Sequence, residues 1–364
     1  MVLGKGFGVS TKIAARAHLG AMQKTFHVVS LPHTSTTKAY QACAFTEKVR
    51  KFCGMMRQLG HNVYLYAGPE NEADCTEHIP CITTDLQDIA LGGNHYTQVT
   101  FDPHSQLWSF FNKRAIYEIK KRINSGDLIC LIGGSSHKVI ADALRDNKSI
   151  EFGIGYHGVF SEYRVYESYA WMHMHYGFSG TTDTDGNEKF AVIPNYIDLA
   201  DFDVRTSPDD YFLYVGRMVN RKGIHLAASL CQESKKRIIF AGPGDPPEYG
   251  EYVGEIGCAE RNRLMGGAVA LIAPTRYIEP FGTVSIEAMA CGTPVISSDW
   301  GAFTENIING VTGFRCRTRD QYLTAIKKCK DLDRQAIADY SRSKFNLHTV
   351  AKMYDSYFDS IIDL

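Results

Sequence analysis

Two glutamates on either side of a Phe-Gly pair are the residues of this sequence best placed to do chemistry. Glu279 and Glu287 lie eight positions apart in "IEPFGTVSIEAMACG", where a helical pattern starts near Thr283. The turn at Phe281 and Gly282 therefore predicts a helix N-terminus, whose free amides and partial positive charge favour a phosphate group. Both carboxylates can reach a ligand there and accept hydrogen bonds from vicinal hydroxyls. The predicted ligand carries phosphate and sugar together, although acids near helix starts are also common without any ligand.

Two other loops supply cations and glycines at the ends of predicted strands. "VGRMVNRKG" contains Gly216, Arg217 and Lys222, and "FAGPGD" contributes Gly242 in a second glycine turn. Two fixed cations suit the neutralisation of a diphosphate leaving group.

The elements that must position these residues alternate between strand and helix. From residue 26 the patterns are a strand "FHVVSL", a helix "AFTEKVRKFCGMMRQLG" and a strand "HNVYLYAG", which favours a parallel sheet. The segment 70–110 is poorly periodic and is left unplaced. A Pro-, Asp- and Ser-rich stretch after residue 194 reads as a linker, and a second alternating series follows it. A chain of 364 residues is long for one core, so two doubly wound α/β domains with a ligand cleft between them are expected.

The ordered combination of these motifs resembles a known family. "VIPNYIDLADF", "VGRMVNRKG", "IIFAGPGD" and "EPFGTVSIEAMACGTPVISSDWGAFTENIINGVTGF" closely resemble the donor domain of GT-B fold, retaining nucleotide-sugar glycosyltransferases of the family-four type (glycosyl transferases group 1). The resemblance implies an α/β protein of GT-B architecture, with two Rossmann-like doubly wound domains facing across a cleft. The expected boundaries are an N-terminal extension at 1–25, an acceptor domain at 26–200, a donor domain at 201–345, and a C-terminal helix at 346–364 that packs back on the N-domain.

The resemblance also implies roles for individual residues. Arg217 and Lys222 match the diphosphate-binding pair, Glu279 the glutamate that contacts the donor sugar, and Glu287 the one that holds the ribose hydroxyls. His157, in "GIGYHGVF", resembles the N-domain histidine near the reacting sugar carbon. The catalytic set implied is Glu279, His157, Arg217 and Lys222, and the remaining donor-binding positions implied are Gly216, Gly242, Ile256 at the nucleobase, Phe281, Gly282 and Thr283.

The reaction implied is transfer of a hexosyl or related sugar from a UDP- or GDP-sugar to a hydroxyl acceptor, with retention at the anomeric carbon. The acceptor is a glycan, a lipid or another molecule, and neither a metal nor a cofactor is expected. Three alternatives stay open on the same fold: transfer to a nucleic-acid base, a nucleotide-sugar epimerase or phosphorylase, and a non-catalytic nucleotide-sugar binder.

One loop departs from the family pattern. Many members carry a Gly-Gly loop after the first strand, whereas this chain reads "LPHTSTTKAY" there. Hydroxyls and a lysine in this loop, Thr34, Ser35, Thr36 and Lys38, could bind phosphate near the donor or acceptor. An ordinary polar loop is the alternative.

Composition bears on membrane insertion and on the redox compartment of the protein. With 44% hydrophobic and 22% charged residues, and no long apolar run, a transmembrane helix is not expected. The ten cysteines form no C-x-x-C pair, which favours a reduced, cytoplasmic protein.

The first sixty residues are basic, with nine Lys or Arg against one acid, Glu47. An anionic acceptor or an anionic surface is therefore kept as an alternative partner for this half of the chain. The helix "EKVRKFCGMMRQLG" could meet a membrane surface or a nucleic-acid backbone, or simply be solvated. No recognised nucleic-acid-binding motif is present. His173 and His175 would share one face of a strand, but no third ligand stands near them in the sequence, so a metal site is not predicted.

Overall fold

A computed structural model describes residues 23–96, 98, 102–180 and 187–364, so the predicted extension 1–25 lies outside the described residues as far as residue 22. The described residues form two parallel sheets. The strands of the first sheet are β1 Thr25–Val29, β2 Asn62–Ala67, β3 Glu77–Pro80, β4 Leu128–Leu131, β5 Ser149–Ile154, β6 Tyr163–Tyr166 and β7 Phe190–Val192. They lie in the order β3-β2-β1-β4-β5-β6-β7.

Helices cover both faces of this sheet. They are α1 Ala44–Gln58, α2 Thr84–Leu91, α3 Gln106–Lys120, α4 Lys138–Ala143 and α5 Tyr169–Ser179. The segment 70–110, which sequence patterns did not place, thus holds β3, α2 and the start of α3. The two histidines considered as a strand pair, His173 and His175, lie on α5 instead, where a spacing of two does not share a face.

A second series of strands and helices begins at residue 212. Its elements are β8 Phe212–Val215, α6 Ile224–Glu233, β9 Ile238–Ala241, β10 Glu251–Tyr252, α7 Cys258–Gly267, β11 Leu271–Ala273, α8 Thr283–Ala290, β12 Val295–Ser298, α9 Phe303–Asn306, β13 Gly313–Cys316, α10 Arg319–Lys328, α11 Arg334–Phe345 and α12 Leu347–Ile362. The strands lie in the order β10-β9-β8-β11-β12-β13. The α/β fold class predicted from the alternating patterns is confirmed.

The central strands do not alternate between buried and exposed residues because both faces of each sheet are covered. All four residues of β4 "LICL", of β9 "IIFA" and of β12 "VISS" are buried. In each sheet the strand order changes direction at one strand, β1 in the first sheet and β8 in the second. The next two strands in sequence are added on one side of it, and the later strands are added on the other side. Ligands of open α/β sheets bind at such switch points, beyond the carboxyl ends of the strands.

Helix α12 leaves the second domain and packs on the first. Tyr354 and Phe358 join the apolar core that contains Phe26 and Phe52, and the Lys24 ammonium lies 2.6 Å from Asp355 Oδ1. Within the residues that the structure describes, the chain therefore passes between the domains twice. The two passages are hydrogen-bonded to each other, since the amide of Ile197 donates to the carbonyl of Phe345 at 2.9 Å.

Candidate functional site

The turn between β11 and α8 is shaped by one glycine. Gly282 precedes the first residue of α8 with a φ of +77°, a conformation that other residues rarely adopt. A Cβ atom there would lie 2.6 Å from Cε1 of Phe303, so the close approach also requires glycine. Among the described residues no side chain caps α8, and its first turn carries no acid. Helix α8 thus begins at Thr283, as predicted, and the binding of a phosphate group at its N-terminus stays a prediction.

Glu279 is held under this turn by two donors. Lys222 Nζ lies 3.0 Å from Glu279 Oε2, and the Tyr277 hydroxyl donates to the same oxygen at 2.6 Å. Glu279 is only 7% exposed, while the Lys222 side chain is 24% exposed. Burial and the nearby carboxylate raise the pKa of Tyr277, so its hydroxyl keeps the proton that it donates. The structure thus brings together two of the predicted catalytic residues, Glu279 and Lys222.

The ends of β8 and β9 approach each other through backbone. Gly242 has a φ of +133°, and a Cβ atom on it would lie 2.2 Å from the carbonyl oxygen of Gly216. The close contact requires glycine at position 242, whereas at position 216 glycine is favoured by a φ of +151°. Neither reason involves a ligand. Arg217 follows Gly216 and is exposed, and its backbone carbonyl accepts from the Tyr214 hydroxyl at 3.0 Å.

Glu287 faces a cavity between the domains. It is 5% exposed and lies 3.6 Å from Arg261 Nη1, and the Glu287 carboxylate raises the pKa of the Arg261 guanidinium. Glu287 Oε2 and Arg261 Nε are buried and have no hydrogen-bond partner among the described residues. A buried carboxylate oxygen without a partner is costly, which is consistent with a ligand that donates to it.

This cavity has a volume of about 220 Å³. Its wall combines Glu287, Val284 and Thr283 of α8 with Arg261 of α7, Asn195 and Tyr196 of the linker, and Gln41, Ala42, Ala44, Glu47, Lys48 and Lys51 around the start of α1. Asn195 Nδ2 donates to Thr283 Oγ1 at 3.1 Å across the domain boundary. Ile256 is half-buried against the second-domain core and lies two residues before α7.

His157 lies on the first-domain side, just after β5. Its ring is exposed and its centroid is 5.2 Å from that of Trp171 and 6.0 Å from that of His175. It lines a cavity of about 420 Å³ together with Leu31, His33, Phe45, Pro103, Ile132, Gly133, Ser135, Ser136 and Tyr156. Apart from Pro103, which precedes α3, these residues follow β1, β4 and β5 or begin α1, so the cavity opens at the carboxyl ends of these strands.

The hydroxyls of the loop after β1 are already engaged inside the domain. Thr34 Oγ1 lies 2.6 Å from Thr46 Oγ1, Thr36 donates to Asn71 Oδ1 at 2.6 Å, and Ser35 Oγ accepts from the amide of Glu70. All three residues are buried, whereas Lys38 is exposed. The three hydroxyls thus have hydrogen-bond partners inside the domain, as in an ordinary polar loop. A phosphate contact by Lys38 stays a prediction.

Three of the four cationic side chains of helix α1 are largely buried, and the fourth, Arg57, is 31% exposed. Arg50 and Lys51 form ion pairs with Glu47, and Lys48 forms one with Glu167; these three cationic side chains are at most 15% exposed. The membrane and nucleic-acid readings of this helix therefore lose their main support. Among residues 23–96, 98, 102–180 and 187–364, no helix is both long enough and apolar enough to span a bilayer.

Several residues of the site were missed by sequence reasoning. Tyr277 and Arg261 touch the two predicted glutamates, and Ser168 and Glu305 connect the domains beside the turn at residues 279–282 (the donor turn). Only Tyr277 had a local signal, since it lies two positions before Glu279. Within the part of the chain that the structure describes, no three His, Cys, Asp or Glu side chains are grouped as metal ligands would be.

Comparison with known proteins relates one part of the chain to a family. Residues 209–331 match the family described as Glycosyl transferases group 1, so the resemblance found in the sequence motifs is confirmed for this part of the chain. A glycogen synthase of Mycobacterium tuberculosis is 33% identical over 158 residues, which are 37% of this chain and 38% of that enzyme. The chain thus spans less than two fifths of the length of this relative.

Solved structures resemble almost the whole chain. A glycosyltransferase involved in avilamycin A biosynthesis has a TM-score of 0.68 at 17% identity, covering 93% of this chain and 98% of its own. The Anabaena protein HepE, crystallised with UDP-glucose, has a TM-score of 0.62 at 15% identity, covering 93% of this chain and all of its own. At such identities the likeness shows the fold, and the predicted GT-B architecture is confirmed.

Proposed function

We propose that this protein is a retaining glycosyltransferase that moves a sugar from a nucleoside-diphosphate sugar to a hydroxyl acceptor. The observation that carries the proposal is the Glu279 carboxylate, held by Lys222 at 3.0 Å and by Tyr277 at 2.6 Å beside the uncapped start of α8. A carboxylate, an ammonium and a helix N-terminus in one place suit a ligand with both sugar hydroxyls and phosphate.

The proposed donor pose follows from the charges. The diphosphate lies over the N-terminus of α8, between Lys222 and the exposed Arg217, which neutralise the charge that develops as the nucleoside diphosphate leaves. Glu279 accepts hydrogen bonds from sugar hydroxyls, and Glu287 accepts from the ribose in the cavity of about 220 Å³. Because two fixed cations supply the positive charge, the proposal does not call on a divalent ion.

The acceptor is proposed to enter from the first domain. We expect the acceptor hydroxyl to lie in the cavity beside His157, across the cleft from the turn at residues 279–282. In a retaining transfer the acceptor attacks the same face that the diphosphate leaves, and the departing phosphate takes the acceptor proton. We place this reaction in a reducing, cytoplasmic setting, since all ten cysteines are free thiols.

The first experiment is a calorimetric binding screen of the purified protein against UDP, GDP, ADP and their common sugar conjugates. Selective binding of one nucleotide, followed by release of that nucleotide from its sugar conjugate in the presence of EDTA, supports the proposal. NMR of the glycoside formed when a hydroxyl acceptor is also present should show the anomeric configuration of the donor. A folded protein that binds none of these nucleotides contradicts it.

The same screen separates the other readings of the fold. An epimerase would convert the donor sugar with no acceptor present, a phosphorylase would require free phosphate, and a non-catalytic binder would hold the nucleotide sugar without turning it over. We favour an enzyme over a non-catalytic binder because Glu279, Glu287, Lys222 and Arg217 are all present, and a protein that only binds could lack several of them.

A further inference from the structure

Helix α5 of the first domain touches the donor turn of the second domain at its N-terminus. Ser168, the residue before the helix, accepts from the amide of Trp171 at 3.1 Å. The same hydroxyl donates to the carbonyl of Pro280 at 2.7 Å. Ser168 therefore caps α5 and connects it to the residue directly after Glu279.

Glu305 completes the cap from the other domain. Its carboxylate accepts from the amide of Tyr169 at 2.9 Å and from that of Ala170 at 2.8 Å. The three amides of the first turn of α5 are thus all bonded, two of them to a side chain of the facing domain. A carboxylate at a helix N-terminus is also favoured by the helix dipole.

The segment that carries Glu305 also holds the donor turn. The amide of Ala302 donates to the carbonyl of Glu279 at 3.0 Å, and Asn306 Nδ2 donates to the carbonyl of Phe281 at 2.8 Å. With Ser168 bound to Pro280, three consecutive carbonyls of the turn are bonded. Residues 302–306, the donor turn and the start of α5 therefore form one connected unit.

The body of α5 supports His157. Trp171, in its first turn, is 5% exposed, and its ring centroid is 5.2 Å from that of His157. One turn later, His175 Nε2 lies 3.0 Å from the carbonyl oxygen of Tyr156, the neighbour of His157. A single helix of 11 residues thus contacts the donor turn at one end and the His157 loop along its side.

We propose that Glu305 is a positioning residue that couples closure of the two domains to the placement of His157. When the domains meet, the Glu305 carboxylate and Ser168 seat α5 on the donor turn, and α5 then sets His157 against the donor sugar. The inference rests on the proposed glycosyl transfer. Glu305 touches neither donor nor acceptor in this arrangement, so its effect is on turnover rather than on nucleotide binding.

The test compares Glu305→Gln with the wild type. An amide group can accept from one of the two α5 amides, but its own N–H₂ then faces the other donor. Glu233→Gln is the matched control, because Glu233 forms an exposed ion pair with Arg319 inside the second domain. Steady-state nucleotide release from the donor sugar gives kcat and KM, calorimetry gives the nucleoside diphosphate Kd, and hydrogen exchange reports on the amides of 169–175.

We expect kcat of Glu305→Gln to fall at least tenfold while the donor KM and the nucleotide Kd change less than twofold. Amides of the first turn of α5 should exchange at least tenfold faster, and Ser168→Ala should produce the same pattern. The control should match the wild type in every measurement.

Two results would overturn the coupling. One is a kcat for Glu305→Gln equal to that of the control; the other is a parallel loss of kcat and nucleotide affinity, which indicates general loosening of the donor domain. Should the wild type turn over no nucleotide sugar at all, the proposed function fails, and hydrogen exchange still decides the contact: unchanged exchange in α5 refutes the cap.

Discussion

Replacing Glu279 by glutamine tests the centre of the proposed site. The substitution keeps the shape of the side chain and removes its charge. Glu279 is 7% exposed, so bulk water contributes little to its hydrogen bonding. Its two donors, Lys222 Nζ at 3.0 Å and the Tyr277 hydroxyl at 2.6 Å, meet on one oxygen.

The expected magnitude follows from these two bonds. A hydrogen bond to a charged group contributes about 1.5–3 kcal/mol and a neutral one about 0.5–1.5 kcal/mol, so each bond should weaken by about 1 kcal/mol. A total of about 2 kcal/mol corresponds to about a thirtyfold fall in kcat, since each 1.36 kcal/mol in the activation free energy is a factor of ten in rate. Loss of contacts made only in the transition state should bring the fall in kcat to about a hundredfold.

Nucleotide affinity should respond in the opposite direction. At an effective dielectric of about 20, unit charges 3.0 Å apart attract by about 5 kcal/mol before desolvation is counted. Without the carboxylate, Lys222 is free to interact with the diphosphate. The nucleoside diphosphate should therefore bind Glu279→Gln at least as tightly as the wild type.

The assay pairs nucleotide release from the donor sugar with calorimetry of the free nucleotide. Glu260→Gln is the control, because that carboxylate forms an exposed ion pair with Arg263 in the same domain. A kcat within threefold of the wild type would refute the placement of Glu279 at the donor sugar. Equal losses of kcat and nucleotide affinity would show that Glu279 only maintains the turn.

Three further predictions concern other buried groups. Burial lowers the pKa of Lys48 to about 7, so its ammonium form prevails at pH 6. At that pH Lys48→Met should lower the free energy of unfolding, measured in urea, by about 3–5 kcal/mol because it leaves the Glu167 carboxylate buried without its cation; adding Glu167→Gln should restore most of the loss, and an unchanged single variant would contradict the pairing. Burial lowers the pKa of His137 from 6.5 to about 3, and its Nδ1 accepts from the amide of Gly133. Between these values the unfolded chain binds a proton that the folded chain does not, so stability should fall by about 1.4 kcal/mol per unit as pH drops below 6; urea titrations of His137→Gln should show a shallower slope, and an unchanged slope would contradict the assignment. Glu287→Gln should weaken binding of the cognate nucleoside diphosphate about tenfold while leaving its 2′,3′-dideoxy analogue unaffected in calorimetry, and equal losses for both would argue against a ribose contact.

The donor half of the site could be predicted because its signals are local. A strand, a Phe-Gly turn and a helical pattern place Glu279, Gly282 and Thr283 within a few residues of each other. The start of α8 at Thr283 and the parallel sheet followed from spacing alone. Lys222 reached Glu279 because two neighbouring strands of one parallel sheet end at the same edge.

The rest depended on contacts between distant segments. The hydroxyls of Thr34 and Thr36 resembled phosphate ligands in sequence, but they are bound by Thr46 and Asn71 from other elements. Arg261 lies on α7, 26 positions before Glu287, and no periodicity connects the two residues. The aromatic residues around His175 are compatible with either a strand or a helix. The segment forms helix α5, whose N-terminus is capped by Ser168.

The packing of α12 on the first sheet has a consequence for the order in which the protein matures during synthesis. Phe26 and Phe52 are made early, yet their neighbours Tyr354 and Phe358 leave the ribosome more than three hundred residues after Phe26. The second sheet, with β8 through β13 and α11 already translated, can form before the first has a complete core. Nascent chains that stop short of α12 would therefore expose this apolar surface to chaperones and proteases, and the domain translated first would be the one finished last.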